Sequence, residues 1–143
     1  MSDLGTAIAI ASQAFKDKTD RGGKPYILHC LYVMNKMKYS GDEELMIVAV
    51  LHDLIEDTSY KLMDLISHGF SNKVVNLVSL LTHDPSMDYM EYIEQIKSNS
   101  EQAIEIKMHD LRHNSDITRI KGLRDKDLKR IEKYHKAYTY LKN

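Results

Sequence analysis

Cysteine is nearly absent from this sequence: one thiol, Cys30, among 143 residues. No internal disulfide framework is possible, so the chain is expected in a reducing, cytoplasmic compartment. Proline is almost as scarce, with two residues, and tryptophan is missing. So few prolines leave helices room to run. No apolar stretch is long enough to span a bilayer, and the N-terminus lacks the basic-then-apolar order of a signal peptide; no membrane role is expected. Nor is there an excess of charge. The formal net charge is −1, so no global field favours nucleic acid or an anionic surface, and any basic site must be local. Internal repeats, linkers, low-complexity segments and convincing alternating strands are all lacking.

What remains is a composition of soluble globular type, 43% hydrophobic and 29% charged, with a length that suits one domain over residues 1–143. The apolar period is helical nearly throughout, which makes the expected fold class all-α. A first helix spans 2–17, with Leu4, Ile8, Ala11 and Phe15 on one face. A turn in TDRGGK leads to Pro25 at a first helical position. The following helix, to Tyr39, places Leu28, Leu31, Tyr32 and Met34 inward. Ser40 and Glu43 have capping-box spacing and open a third helix through residue 56. That helix is apolar all round, from Leu45 to Leu51, so it belongs at the centre. Shorter helices fit 60–68 (stopped by Gly69), 72–82, 88–98, 101–114 and 126–141. Leu128, Ile131, Tyr134, Tyr138 and Leu141 form the inward face of the last.

The stretch LHDLIEDT, residues 51–58, ends the most apolar helix in ionisable groups. His52 and Glu56 are one turn apart, as are Asp53 and Asp57. Buried unpaired carboxylates cost several kcal/mol each, roughly, so something positive must compensate them. A divalent cation is the compact solution: imidazole and carboxylate suit Mn, Fe, Co, Ni or Zn. His52 and Asp53 are sequence neighbours and reach one ion together only at a helix end or kink. Other ligands must come from elsewhere. KPYILHC puts His29 among the core positions Leu28, Leu31 and Tyr32. IKMHDLRHN puts Asp110 in an amphipathic helix with Ile104, Ile106 and Leu111. Each is a lone polar residue at an apolar position. Together they give His, His, Asp and Asp on three helices.

This order and spacing resemble the HD-domain metal-dependent phosphohydrolases. More narrowly, GGKPYILH, AVLHDLIEDT and IKMHDLRHN are similar to the hydrolase domain of RelA/SpoT-type alarmone enzymes and to the small stand-alone alarmone hydrolases. LVSLLTH and RIEKYHKAYTYL extend the likeness, which runs from about residue 7 to the end. The resemblance implies a helical bundle with a metal site between helices, His29, His52, Asp53 and Asp110 as ligands, and Mn²⁺ as the usual ion. It implies that Glu56 and Asp57 handle the attacking water. The implied reaction is hydrolysis of the 3′-pyrophosphate of guanosine tetra- or pentaphosphate, (p)ppGpp, without synthesis, since the sequence ends before any synthetase domain. The family carries a basic pair before its Gly-x-Pro-Tyr motif, where this sequence has Asp20-Arg21. Arg21 is expected to hold base or phosphate, with Lys24 partly restoring the charge. Lys107 is expected to hold phosphate and Asn114 a nucleotide edge.

Elsewhere the bland reading is preferred. Cys30 is expected to be a buried thiol rather than a ligand. His68, His83, His109 and His113 are expected in structural roles, and Tyr89 and Tyr92 in packing. Two alternatives to alarmone hydrolysis stay open: a phosphohydrolase of another small nucleotide (dNMP, dNTP or dinucleotide phosphate), and a non-catalytic metal-dependent nucleotide-binding protein. Arg112, two residues past Asp110, is expected to point away. The oligomeric state is not fixed by the sequence.

Overall fold

The computed structural model describes residues 3–143, so the expected helix start at Ser2 lies outside the described residues. Among these residues the fold is all-α, as expected, with no strand; one antiparallel bridge, Thr19 to Pro25, pins the loop between the first two helices. Helix α1, Leu4–Ala14, starts where the Asp3 carboxylate accepts from the Thr6 amide at 2.9 Å. It buries Ala7, Ile10 and Ala11, and Phe15 follows into the core. Helix α2, Ile27–Lys36, begins two residues after Pro25, because Tyr26 rather than proline occupies the N-cap. It ends earlier than the sequence suggested. Residues Lys38–Ser40 form a 3₁₀ turn, and Gly41 adopts φ 72, a left-handed conformation that interrupts any helix starting at Ser40. The expected capping box at Ser40 and Glu43 is therefore replaced: Asp42 is the N-cap and accepts from the Glu44 amide at 2.9 Å.

Helix α3, Glu43–Leu51, is the central one. Leu45 and every residue from Ile47 to Leu51 are buried, and the helix packs against α1, α2 and a later helix, α6 (Asn72–Leu80). It stops at Leu51 rather than running through residue 56. A short helix, α4 (Leu54–Asp57), follows, then α5 (Leu62–Ser67). The second half is α7 (Tyr89–Asn99), α8 (Glu101–Asn114) and α9 (Asp125–Lys142); α8 packs on both α2 and α9. Two inward assignments fail. Leu28 is 51% exposed and Leu128 is 52% exposed. Helix faces this narrow bury only part of an apolar stripe, and Tyr134, Tyr138 and Leu141 rather than Leu128 pack against the core from α9. No helix among the described residues is long and apolar enough to cross a membrane.

The loop of residues 19–25 is held from two sides. Asp20 accepts from its own loop, from the Gly22 and Lys24 amides at 2.9 Å each, and pairs with Arg119 at 3.2 Å. Gly22 lies so close to residue 119 that a Cβ there would sit 2.1 Å from the Arg119 carbonyl oxygen. Gly22→Ala is therefore expected to push the loop off residues 117–119 and to destabilise the fold by about 1–3 kcal/mol, read as a lower denaturation midpoint. An unchanged midpoint would show that the contact is not tight.

Candidate metal centre and its cavity

The break after α3 has a local cause. In a continuing helix the Ala49 carbonyl would accept from residue 53. Here it takes the His52 imidazole, Nδ1 to oxygen 2.6 Å, and the His52 amide at 3.5 Å. The chain turns through His52 and Asp53, and both side chains come to one side, as two adjacent ligands require. Helix α2 brings His29 to the same point, and α8 brings Asp110. His52, His29 and Asp110 are buried to within 3% of full burial.

The four donors converge. One donor atom from each of His29, His52, Asp53 and Asp110 lies within 4.8 Å of the others. His29 Nε2 is 2.9 Å from Asp110 Oδ1 and 3.4 Å from Asp53 Oδ2; His52 Nε2 is 3.2 Å and 3.1 Å from the same oxygens. Donors bonded to one ion at about 2.0–2.2 Å stand roughly 3.0–3.6 Å apart along a polyhedron edge. The spacing and the nitrogen–oxygen donor set therefore suit a divalent transition ion. Among the described residues this is the group of histidine, cysteine and acidic side chains so placed. Cys30 is not part of it. Its thiol is buried and pushed up by that burial, and further by Asp53 and Asp110, so it stays protonated.

Both imidazoles present Nε2 to the centre and are fixed through Nδ1. His52 donates to the Ala49 carbonyl. His29 shares a hydrogen with His113, Nδ1 to Nδ1 2.7 Å. The His113 ring stacks on Tyr32, with centroids 3.8 Å apart and planes within 8°. Burial, then the charge of Arg119, lowers His113 to about 4, so it is neutral and accepts from His29. His113 thus orients a donor. The sequence signal was its place one helical turn from Asp110, and only the packing of α2 on α8 reveals the partner.

Asp110 is also held outside the centre. Its Oδ2 accepts from Lys107 at 2.8 Å, and its Oδ1 from Asn114 at 3.0 Å. Burial works against the charged form of both Asp53 and Asp110. For Asp53 the His52 charge overcomes it; for Asp110 the Lys107 charge does, followed by His52. Both carboxyls are held below the usual range. His29 and His52 are raised despite burial, His29 by its hydrogen bonds to Asp110 and Asp53, His52 by the charges of Asp53 and Asp110.

The centre forms one wall of a cavity of about 480 Å³. Glu56 and Asp57 line it beside Asp53. Burial raises both, and the charge of Asp53 adds to it. A Glu56 oxygen accepts from the His83 backbone amide. Tyr26, which the sequence did not single out, donates its hydroxyl to Asp53 Oδ2 at 2.6 Å and lies 3.5 Å from Asp57 Oδ2. Lys18 supplies a charge that the sequence reading missed: its Nζ is 3.5 Å from Asp57 and 4.5 Å from the Tyr26 ring centroid. The expected substrate contacts divide. Arg21, Lys107 and Asn114 line the cavity, whereas Lys24 does not and serves the loop through its backbone. Arg119, Arg130 and Lys133 join the lining, as do Tyr89 and Tyr92. Arg112 points away, to the Tyr138 hydroxyl.

The sequence matches the HD domain family over residues 7–120. It is 33% identical over 102 residues to the guanosine-3′,5′-bis(diphosphate) 3′-pyrophosphohydrolase of Aquifex aeolicus (strain VF5), covering 71% of this chain and 13% of that protein. It is 36% identical over 83 residues to the probable GTP pyrophosphokinase of Mycobacterium leprae (strain TN), covering 57% of this chain and 10% of that one. The chain thus spans a small fraction of the length of the curated relatives it matches. Among solved structures, a metazoan ortholog of SpoT, described as hydrolysing ppGpp and acting in starvation responses, superposes with a TM-score of 0.81. That match covers 99% of this chain and 85% of the other at 22% identity, a likeness of fold.

With both histidines raised, each Nε2 carries a proton toward Asp53 or Asp110 when no ion is bound. That stabilisation is complete below the unfolded histidine pKa near 6.5 and is lost as pH rises through the raised folded values. An entering ion must displace the protons. Apparent metal affinity is therefore expected to climb as pH rises toward the raised folded values and to level off above them, with proton release seen by calorimetry in buffers of different ionisation enthalpy. An affinity flat across that window, without proton release, would contradict the assignment of the two imidazoles.

Proposed function

The chain belongs to the HD domain family, and from that membership we propose that it is a metal-dependent phosphohydrolase that removes the 3′-pyrophosphate of guanosine 3′,5′-bis(diphosphate) or its pentaphosphate. The observation that carries this reading is one of juxtaposition. Four metal-type donors, two carboxylates of raised pKa and a rim of cations share one cavity. The names of the two curated relatives, both of guanosine-nucleotide pyrophosphoryl chemistry, support the substrate.

His29, His52, Asp53 and Asp110 would hold the ion, and Mn²⁺ is the ion proposed, with Fe, Co, Ni and Zn sharing the donor preference. When bound, a divalent ion supplies Lewis acidity: it polarises phosphate oxygens and lowers the pKa of water. The remaining chemistry falls to the chain. Hydrolysis joins a water oxygen to the phosphorus on the ribose 3′-oxygen and breaks the bond between them. The water loses a proton, the 3′-oxygen gains one, and pyrophosphate leaves with GDP or GTP. Glu56 and Asp57 are the proton acceptors within the cavity. Their raised pKa values bring them nearer to the working pH, which favours proton exchange. Tyr26 and Lys18 keep Asp57 in place.

The cations suit a highly charged nucleotide. Lys18, Arg21, Arg119 and Arg130 line the cavity, and Lys107 stands at the centre against Asp110. Asp20 pairs with one of those cations, Arg119, and is otherwise committed to its own loop, while Arg21 lines the cavity.

Turnover of (p)ppGpp, deoxynucleoside mono- and triphosphates and a dinucleotide phosphate, followed by chromatography with and without Mn²⁺, tests the reading. The expected result is Mn²⁺-dependent release of pyrophosphate, fastest from the alarmone. Faster turnover of another nucleotide would move the substrate, and tight binding without turnover would make the chain a binding protein. Glu56→Gln or Asp57→Asn is expected to keep metal and substrate binding while kcat falls by ~10²-fold or more in at least one of the two. Unchanged kcat in both would place proton transfer elsewhere. Arg21→Ala is expected to raise KM about 10-fold with a smaller effect on kcat, since it acts on remote binding.

A further inference from the structure

One corner of the cavity has chemistry that neither the four donors nor the Glu56–Asp57 pair uses. Tyr89 opens α7, and its hydroxyl is closed from solvent with no hydrogen-bond partner among the described residues. Buried hydroxyls are normally paired, so an isolated one marks a place where a partner arrives. The ring is fixed: it meets His83 edge-on at 5.7 Å and Tyr92 at 5.8 Å, while His83 is tied to the Met87 carbonyl at 2.7 Å. The hydroxyl is therefore placed by packing rather than free to swing.

The surroundings are cationic. After burial, the charge of Lys107 is the largest influence on Tyr89. Lys133, from α9, sets its Nζ 4.5 Å from the Tyr89 ring centroid. Lys107 is engaged with Asp110, and Arg130 with Asp127. Lys133 forms no ion pair among the described residues. Its strongest charged neighbours are Lys107, Arg130 and Arg21, all of its own sign, which add to burial in lowering its pKa. A cation placed against other cations, beside an unpartnered donor, is a site for an anion.

We propose that the Tyr89 hydroxyl and the Lys133 ammonium form a subsite for the second phosphate of a pyrophosphoryl group whose first phosphate lies at the four-donor centre. The subsite rests on the proposed hydrolytic reading of that centre. Lys107 links the two places. Its Nζ is 2.8 Å from Asp110 Oδ2, and its charge is felt at both Tyr89 and Lys133. From Lys107 the donors continue outward: its Nζ is 5.2 Å from the Tyr92 ring centroid, the Tyr92 and Tyr89 rings lie 5.8 Å apart, and Lys133 Nζ is 4.5 Å from the Tyr89 ring. Contact with the closed hydroxyl requires one adjustment, and the exposed Lys133 stem, with its several rotatable bonds, can make it. The corner selects a diphosphate over a monophosphate as the group released.

Isothermal titration of Mn²⁺-loaded protein with inorganic pyrophosphate and with orthophosphate tests this, with metal content measured before and after. Wild type is expected to bind pyrophosphate at least ~10-fold more tightly than orthophosphate. Lys133→Met and Tyr89→Phe are each expected to weaken pyrophosphate by roughly 5–10-fold and to change orthophosphate by less than about twofold. Tyr89→Phe removes an unpartnered group, so it is expected to melt no lower than wild type. The proposal is overturned by a wild type that binds both anions equally, by variants that weaken both alike or neither, or by a clear loss of stability in Tyr89→Phe. Pyrophosphate selectivity without turnover of (p)ppGpp would uphold the subsite and overturn the alarmone reading alone.

Discussion

Two carboxylates and two imidazoles meet inside an apolar helical bundle, and most of what surrounds them exists to make that tolerable. Asp53 and Asp110 would repel each other in a region of low dielectric if nothing positive stood between them. The two imidazoles can carry protons into that gap, or one divalent ion can replace those protons. The rest follows from this demand. α3 must break where it does, so that His52 and Asp53 face the same way. α2 and α8 must pack against each other, so that His29 and Asp110 reach the same point. Lys107, Asn114 and Tyr26 each give a hydrogen bond to one of the carboxylates from outside.

The same constraint shapes the cavity beyond the centre. Burial, with the negative charge at Asp53 adding to it, raises Glu56 and Asp57 above the ordinary carboxylate range. Lys18, Arg21, Arg119, Arg130 and Lys133 bring positive charge to the cavity lining. In a chain of net charge −1, part of that charge is balanced in place. Asp20 and Asp127 bind arginines at the cavity wall, and Asp42 binds Lys73 far from it.

Some of this was legible in the sequence for a physical reason. A polar residue at an apolar helix position is conspicuous, and His29, His52, Asp53 and Asp110 are such residues. The all-α class was equally plain, because the apolar period hardly departs from that of a helix. Details fixed by local backbone competition were not legible. The Ala49 carbonyl takes the His52 side chain and ends α3 early, and Gly41 moves the cap from Ser40 to Asp42. Contacts fixed by interhelical packing were hidden too. Nothing in the spacing of Tyr26, Lys18 or His113 announces that they meet Asp53, Asp57 and His29, since each contact joins segments far apart in the chain. Lys24 and Asp20 show the converse: adjacent to the motif, both serve the loop more than the cavity.

The central claim is that His29, His52, Asp53 and Asp110 hold a single divalent ion. Crystals grown with Mn²⁺ and measured near the manganese absorption edge would test it most directly. The account predicts one strong anomalous peak, bonded to Nε2 of both histidines and to an oxygen of each aspartate, with Glu56 and Asp57 beside Asp53 on the cavity wall. A peak placed elsewhere, or density between the four donors that carries no anomalous signal at saturating Mn²⁺, would contradict it.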